Sequence, residues 1–231
     1  MAKTFFISVF IFLSSCQLLN VESAIPRKVM SNQEIANGLK ESLRVAVDKK
    51  VTLLGAAGGF YNNSVVKIGL PSELEILERK LVTVGLNNLV EEGIKLINRA
   101  AEDAVSEATP IFYNAISSMT INDAFSILKG SDSAATVYLK ETSIQELYER
   151  FLPQIKLSLD RVGANQAWET IVSKYNVIPF TKKIEPKLDE YVTQEALKGV
   201  FVVIAEQEST IRTNISSRNS DLLKRVFALQ D

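Results

Sequence analysis

The stretch Ser31-Asn32-Gln33-Glu34, continued by IANGLKESLRVAVDKKVTLL to Leu54, decides the fold. Ser31 and Glu34 have the spacing of a capping box. The hydroxyl accepts from one orphan N–H at a helix start, and the carboxylate reaches back to another. Behind this cap, Ile35, Leu39, Leu43, Ala46, Val47 and Leu54 recur at helical spacing. One face of a helix running to about Leu54 is therefore apolar.

Downstream, residues 55–71 (GAAGGFYNNSVVKIGLP) read as one long Gly-rich loop. Gly55, Gly58 and Gly59 break the helix, and Phe60-Tyr61 are expected to tuck back onto the core. Val65-Val66-Lys67-Ile68 suits a short extended piece, but one strand makes no sheet. Ser72-x-x-Glu75 opens a second helix to about Val84. A third spans residues 87–108, and Pro110 fits the first turn of another ending near Met119. Thr120-x-x-Asp123 caps a short helix stopped by Gly130, and Ser131-Asp132 starts the next. Ser143-x-x-Glu146 is expected to open a longer helix with a kink or break at Pro153. Gly163 ends it, and a short helix carrying Trp168 follows. Residues 176–187 (NVIPFTKKIEPK), with two prolines, are the candidate hinge. Thr193 begins a long helix to about Asn214, and Ser220 caps a last one. The sum is an all-α, multi-helix bundle of about eight to ten helices in a single domain, residues 31–229.

Upstream, Lys3 precedes the apolar run of residues 5–13 (FFISVFIFL), the length of a signal-peptide core. A membrane span needs roughly 20 apolar residues. Two processing routes fit. In the first, Leu13-Ser14-Ser15-Cys16 is a lipobox, residues 1–15 are removed, and Cys16 receives lipid that anchors the chain to a membrane. In the second, cleavage follows Ser23 and the product is soluble. Residues 16–30 serve as a tether.

Composition excludes several function classes. With 26 Lys+Arg against 27 Asp+Glu, the chain lacks the basic excess of a nucleic-acid surface. There is no His, and Cys16 is the single Cys. Ser-His-Asp and Cys-His triads and the common zinc sites are therefore ruled out. No cofactor motif is present: Gly58-Gly59 lacks the Gly-Lys-Ser/Thr ending of a phosphate loop.

Two polar groups remain as candidates. Asn98 and Glu102 lie one turn apart, and Arg99 neighbours Glu102. The functional reading is a polar site in a helix cleft. The plainer one is a structural ion pair beside the packing face of Ala100, Ala101 and Ala104. Glu206, Glu208, Arg212 and Asp221 crowd the C-terminal region, where acid–base work or a hard cation competes with an exposed charged helix face. The aromatic residues Phe60, Tyr61, Phe112, Tyr113, Phe125, Tyr138, Tyr148, Phe151, Trp168 and Phe201 either line a cavity for an apolar ligand or form plain core.

Several separated motifs resemble those of the bacterial family catalogued as domain of unknown function 4197. They are residues 59–63 (GFYNN), 68–71 (IGLP), 96–110 (LINRAAEDAVSEATP), Met119-Thr120-Ile121 with Asp123-Ala124, and Ser133-Ala134-Ala135-Thr136. Residues 189–193 (DEYVT), Ile204-Ala205-Glu206 and 221–227 (DLLKRVF) complete the set. The resemblance spans roughly residues 31–229. It implies an exported helical protein of the bacterial envelope with a lipoprotein-like leader, and it brings no catalytic residue with it. Three functional expectations follow: an envelope lipoprotein presenting a binding or scaffolding domain on the periplasmic side, a carrier of an apolar or lipid ligand, or a His-independent enzyme working through Glu/Asp and Arg.

Overall fold

In the computed structural model, described residues are 30–71, 87–177, 179, 183 and 187–229. Helix α1 (Asn32–Gly55) opens as its sequence dictates. The Ser31 hydroxyl accepts from Glu34 N at 3.2 Å, and Ser31 N donates to the Glu34 carboxylate at 2.8 Å. Its apolar stripe is buried from Ile35 to Leu54. The second expected helix, from Ser72, lies outside the described residues, as does most of the candidate hinge.

Helix α2 (Asn87–Ala104) is shorter than its periodicity suggested. The chain tightens into a 3-10 turn at Val105–Glu107 and resumes as α3 (Ala108–Ser118). Pro110 is the physical reason. It lacks an N–H and crowds the preceding turn, so a continuous helix through it would be strained, whereas three residues into a new helix its missing donor is not needed. Helix α4 (Ile121–Leu128) starts at a second capping box: Thr120 N and Oγ1 both donate to Asp123, at 2.9 and 2.8 Å.

Those two bonds hold the Asp123 carboxyl below its ordinary value of 3.8, the backbone N–H of Thr120 contributing most. A depressed folded value favours the ionised form. The stabilisation is therefore complete above the unfolded value and is lost as pH falls below 3.8 through the folded one. Thr120→Val is expected to move the Asp123 titration midpoint upward, read by carboxyl-carbon NMR. An unchanged midpoint would deny the hydroxyl any share.

Helix α5 (Ala134–Arg161) follows the start expected at Ser131-Asp132 and runs unbroken through Ser143 and Pro153. It has no second start at Ser143, so the two helices expected there are one, and the Ser143 hydroxyl bonds back to the Leu139 carbonyl from mid-helix. Nor does it break at Pro153. Glu149, whose carbonyl loses its helical donor there, lies on the exposed side, while Leu147, Phe151, Ile155 and Leu159 hold the opposite face in the core. Helix α6 (Ala164–Asn176) buries Trp168, Ile171 and Tyr175. Helix α7 (Leu188–Thr213) starts ahead of Thr193, whose hydroxyl likewise bonds back, to the Asp189 carbonyl. After a 3-10 turn at Ile215–Ser217, Ser220 caps α8 (Asp221–Phe227).

The element order contains no strand among the described residues. Helices α5 and α7 pack along each other. Helix α1 lies against α7, α3, α4 and α8, and α2 lies against α5 and α6. One continuous apolar core runs through all of them. The bundle is all-α, with eight α-helices among the described residues. No helix of these residues is long and apolar enough to cross a membrane.

Candidate functional site

The Gly-rich segment after α1 is an ordered wall rather than an open loop. Successive turns close it: Gly59 N donates to Ala56 O, Asn62 N to Gly58 O, and Lys67 N to Asn63 O. Gly58 sits in the left-handed region at φ 82°. At Gly59 a Cβ would lie 2.4 Å from the carbonyl oxygens of both Leu53 and Leu54, so only hydrogen fits. Phe60 then turns inward and is fully buried, while Tyr61 stays half-exposed. Gly59→Ala is expected to lower stability by about 3 kcal/mol, the upper part of the range for overpacking. A urea midpoint within error of wild type would show that the backbone yields.

Helix α2 holds this wall through two buried polar side chains. Asn98 makes a two-point clamp on Ile68: Oδ1 accepts from Ile68 N at 2.9 Å, and Nδ2 donates to Ile68 O at 2.8 Å. Glu102 Oε1 accepts from Phe60 N at 3.2 Å and Tyr61 N at 3.4 Å. Its other oxygen faces Arg99 Nη1 at 3.5 Å, the two side chains being 2% and 47% exposed. Arg99 also reaches Asp103 at 3.6 Å, and Asp103 meets Arg161 of α5 at 2.6 Å. The expected ion pair beside the alanine face is present, but its buried partner chiefly fixes the loop.

Between wall and helix runs an open groove of about 430 Å³, lined on the loop side by Ala57, Gly58, Tyr61 and Asn62 and on the α2 side by Glu92, Lys95, Leu96, Arg99 and Glu102. The Tyr61 hydroxyl donates to Glu91 at 3.2 Å, and Lys67 Nζ lies 4.1 Å from the Tyr61 ring centre. Burial pushes the Tyr61 phenol above its ordinary 10.0, and the Glu91 carboxylate adds to the shift.

The second candidate group differs from the expected exposed face. Glu206 is exposed, and the Asp221 side chain is 97% exposed. Glu208 and Arg212 are buried. Glu208 turns to the start of α5, which has no local side-chain cap. It accepts from Ala135 N at 2.9 Å, Thr136 N at 2.8 Å and the Thr136 hydroxyl at 2.7 Å. Arg212 donates Nε to Glu208 at 3.0 Å and reaches the last carbonyls of α4, Ile127 O at 2.9 Å and Leu128 O at 3.3 Å. Arg218, which the sequence did not single out, is also buried and closes the end of α7, donating to Ile211 O at 3.1 Å and Arg212 O at 2.9 Å. Both guanidinium groups lie near the Phe227 ring, at 5.7 and 5.8 Å. An arginine a few residues past a helix end was the available signal, since such a side chain can reach back to the last carbonyls.

The two groups share no residue: Asn98, Arg99 and Glu102 belong to one network, Glu208 and Arg212 to another, and Glu206 joins neither, so the six polar candidates do not form one cleft. Glu102 and Glu208 both accept from backbone N–H groups, and each faces one guanidinium. Among the described residues no cluster of three or more Asp, Glu, Cys or His is placed to hold a metal ion. Of the ten aromatic residues, Tyr61 alone lines the groove. Phe60, Phe112, Phe151, Trp168 and Phe201 are buried in the core, where Phe112 and Phe201 meet edge to face at 5.6 Å.

No curated protein and no solved structure matches the chain. A family model does, described as "Protein of unknown function (DUF4197)", over residues 29–228. That span takes in both polar networks and every described helix, so the chain belongs to the DUF4197 family.

Proposed function

We propose that this chain is an exported lipoprotein of the bacterial envelope, held to a membrane by lipid on Cys16 and presenting its helical bundle as a binding domain. The observation that carries the binding half is the groove beside α2, whose loop wall is fixed by Glu102 and Asn98. A rigid, preformed concavity suits recognition, because little ordering is required when a ligand enters. The buried charged groups support the same reading. Glu208, Arg212 and Arg218 close helix ends and Glu102 holds a loop, so their hydrogen-bonding capacity serves the scaffold.

The anchoring half rests on the lipobox Leu13-Ser14-Ser15-Cys16 directly after the apolar run of residues 5–13, with residues 16–30 as the tether. Its test is cell fractionation. Wild type is expected in the membrane fraction with a diacylglyceryl-modified Cys16 in its N-terminal peptide, and globomycin should accumulate the precursor. Cys16→Ser should release the chain or stall its processing. A soluble wild-type product beginning at Ala24 would replace lipidation by cleavage after Ser23.

A further inference from the structure

The groove carries a more specific reading, which rests on the proposal that this domain binds and is independent of the anchor. Its charges are unequal in availability. Glu102 is 2% exposed, with one oxygen on two backbone N–H groups and the other facing Arg99. It holds the loop wall in place and orients the guanidinium above it. Arg99 remains half-exposed, and its two carboxylate contacts, at 3.5 and 3.6 Å, leave most of its five donors without a close acceptor. Lys95, one turn before it on the same lining, has no ion-pair partner among the described residues. Residues four apart on a helix are separated by about 6 Å along the axis, so the two cations can bracket one oxyanion. Glu92, the remaining exposed charge of the lining, stands three residues before Lys95, on the side away from Arg99. Leu96, Ala57 and the Tyr61 ring add apolar surface.

We propose that this groove binds a small ligand in which a carboxylate or phosphate group is joined to an apolar body, the anion taken by Lys95 and Arg99 and the body laid on Leu96 and Tyr61. Arg99 and Lys95 are the contacting residues, and Glu102 is a positioning residue. A volume of about 430 Å³ suits a ligand of this size class.

The test is an NMR titration of the full ¹⁵N-labelled chain with phenyl phosphate and with 3-phenylpropionate. Inorganic phosphate and benzylamine are the comparison probes. Both anionic aromatic probes are expected to shift the Gly58, Gly59 and Arg99 Nε–H signals saturably. Lys95→Ala and Arg99→Ala are each expected to weaken binding about 10-fold, and Arg99→Lys by less. Both side chains are exposed, so the variants should keep the wild-type fold, read from their remaining amide signals. Inorganic phosphate binding as tightly as phenyl phosphate, benzylamine binding at the same residues, no saturable shift, or wild-type affinity in the double variant would each overturn the proposal. Cys16→Ser should bind with unchanged affinity. A silent groove therefore counts against this ligand class, while fractionation alone decides the anchor.

Discussion

Glu208→Ala is expected to destabilise the bundle by about 3–5 kcal/mol, the penalty for removing one partner of a buried ion pair. The variant leaves Ala135 N and Thr136 N without their acceptor and strips Arg212 of its carboxylate inside the core. A domain of this size is typically stable by about 5–15 kcal/mol, so a large part of the margin disappears. The melting temperature should fall on the order of 10 °C. Glu208→Gln keeps one acceptor and the side-chain volume and should fall between wild type and alanine. Because Glu208 and Arg212 act as a pair, the double alanine variant should lose less than the sum of the single losses. Urea unfolding of wild type, Glu208→Ala, Glu208→Gln, Arg212→Ala and the double alanine variant measures this. An alanine variant within about 1 kcal/mol of wild type would mean that water replaces the carboxylate, contrary to the burial seen here.

Phe60→Ala is expected to cost about 3–5 kcal/mol, the range for deleting a fully buried aromatic ring. Two features argue against easy collapse of the void. Phe60 reaches α7 at Gly199, where an added Cβ would lie 3.0 Å from the ring and 3.1 Å from Val66 Cβ. Its backbone is meanwhile pinned by Glu102. Neither side can move inward without breaking another contact, so the cavity term persists. The loss should appear first as faster proteolysis within residues 55–71, because opening there no longer exposes a ring. Unchanged proteolysis alongside a lowered urea midpoint would place the damage in the α7 packing instead.

Helix starts were legible wherever the cap is local. Ser31 with Glu34, Thr120 with Asp123, and Ser220 each bond a residue three positions on, and sequence shows that spacing directly. The start of α5 was legible to within a few residues at Ser131-Asp132, but its capping group was not, because Glu208 comes more than 70 residues later. Ser143-x-x-Glu146 has the right spelling for a cap, yet its hydroxyl serves a carbonyl of the preceding turn. Spacing fixes which residues can meet, while tertiary packing decides which do. The same limit governed the polar groups. That Asn98 and Glu102 share a helix face could be read from their spacing, but their partners at Ile68, Phe60 and Tyr61 could not. A Glu–Arg pair at i,i+4 has one spelling on an exposed face and in a core, and Glu208–Arg212 is the buried case. Membership of the family was legible in the separated motifs, several of which now have physical roles. GFYNN forms the groove wall, and Ala135 and Thr136 of the SAAT motif provide the amides that Glu208 accepts from.

The charged side chains around Phe227 join three helix ends: the last carbonyls of α4 through Arg212, the first amides of α5 through Glu208, and the last carbonyls of α7 through Arg218. None of these ends can fray alone without uncovering a charge that the other two rely on. Amides at these termini, which ordinarily exchange with solvent fastest, should here exchange as slowly as mid-helix amides and respond to denaturant with the slope of whole-domain unfolding.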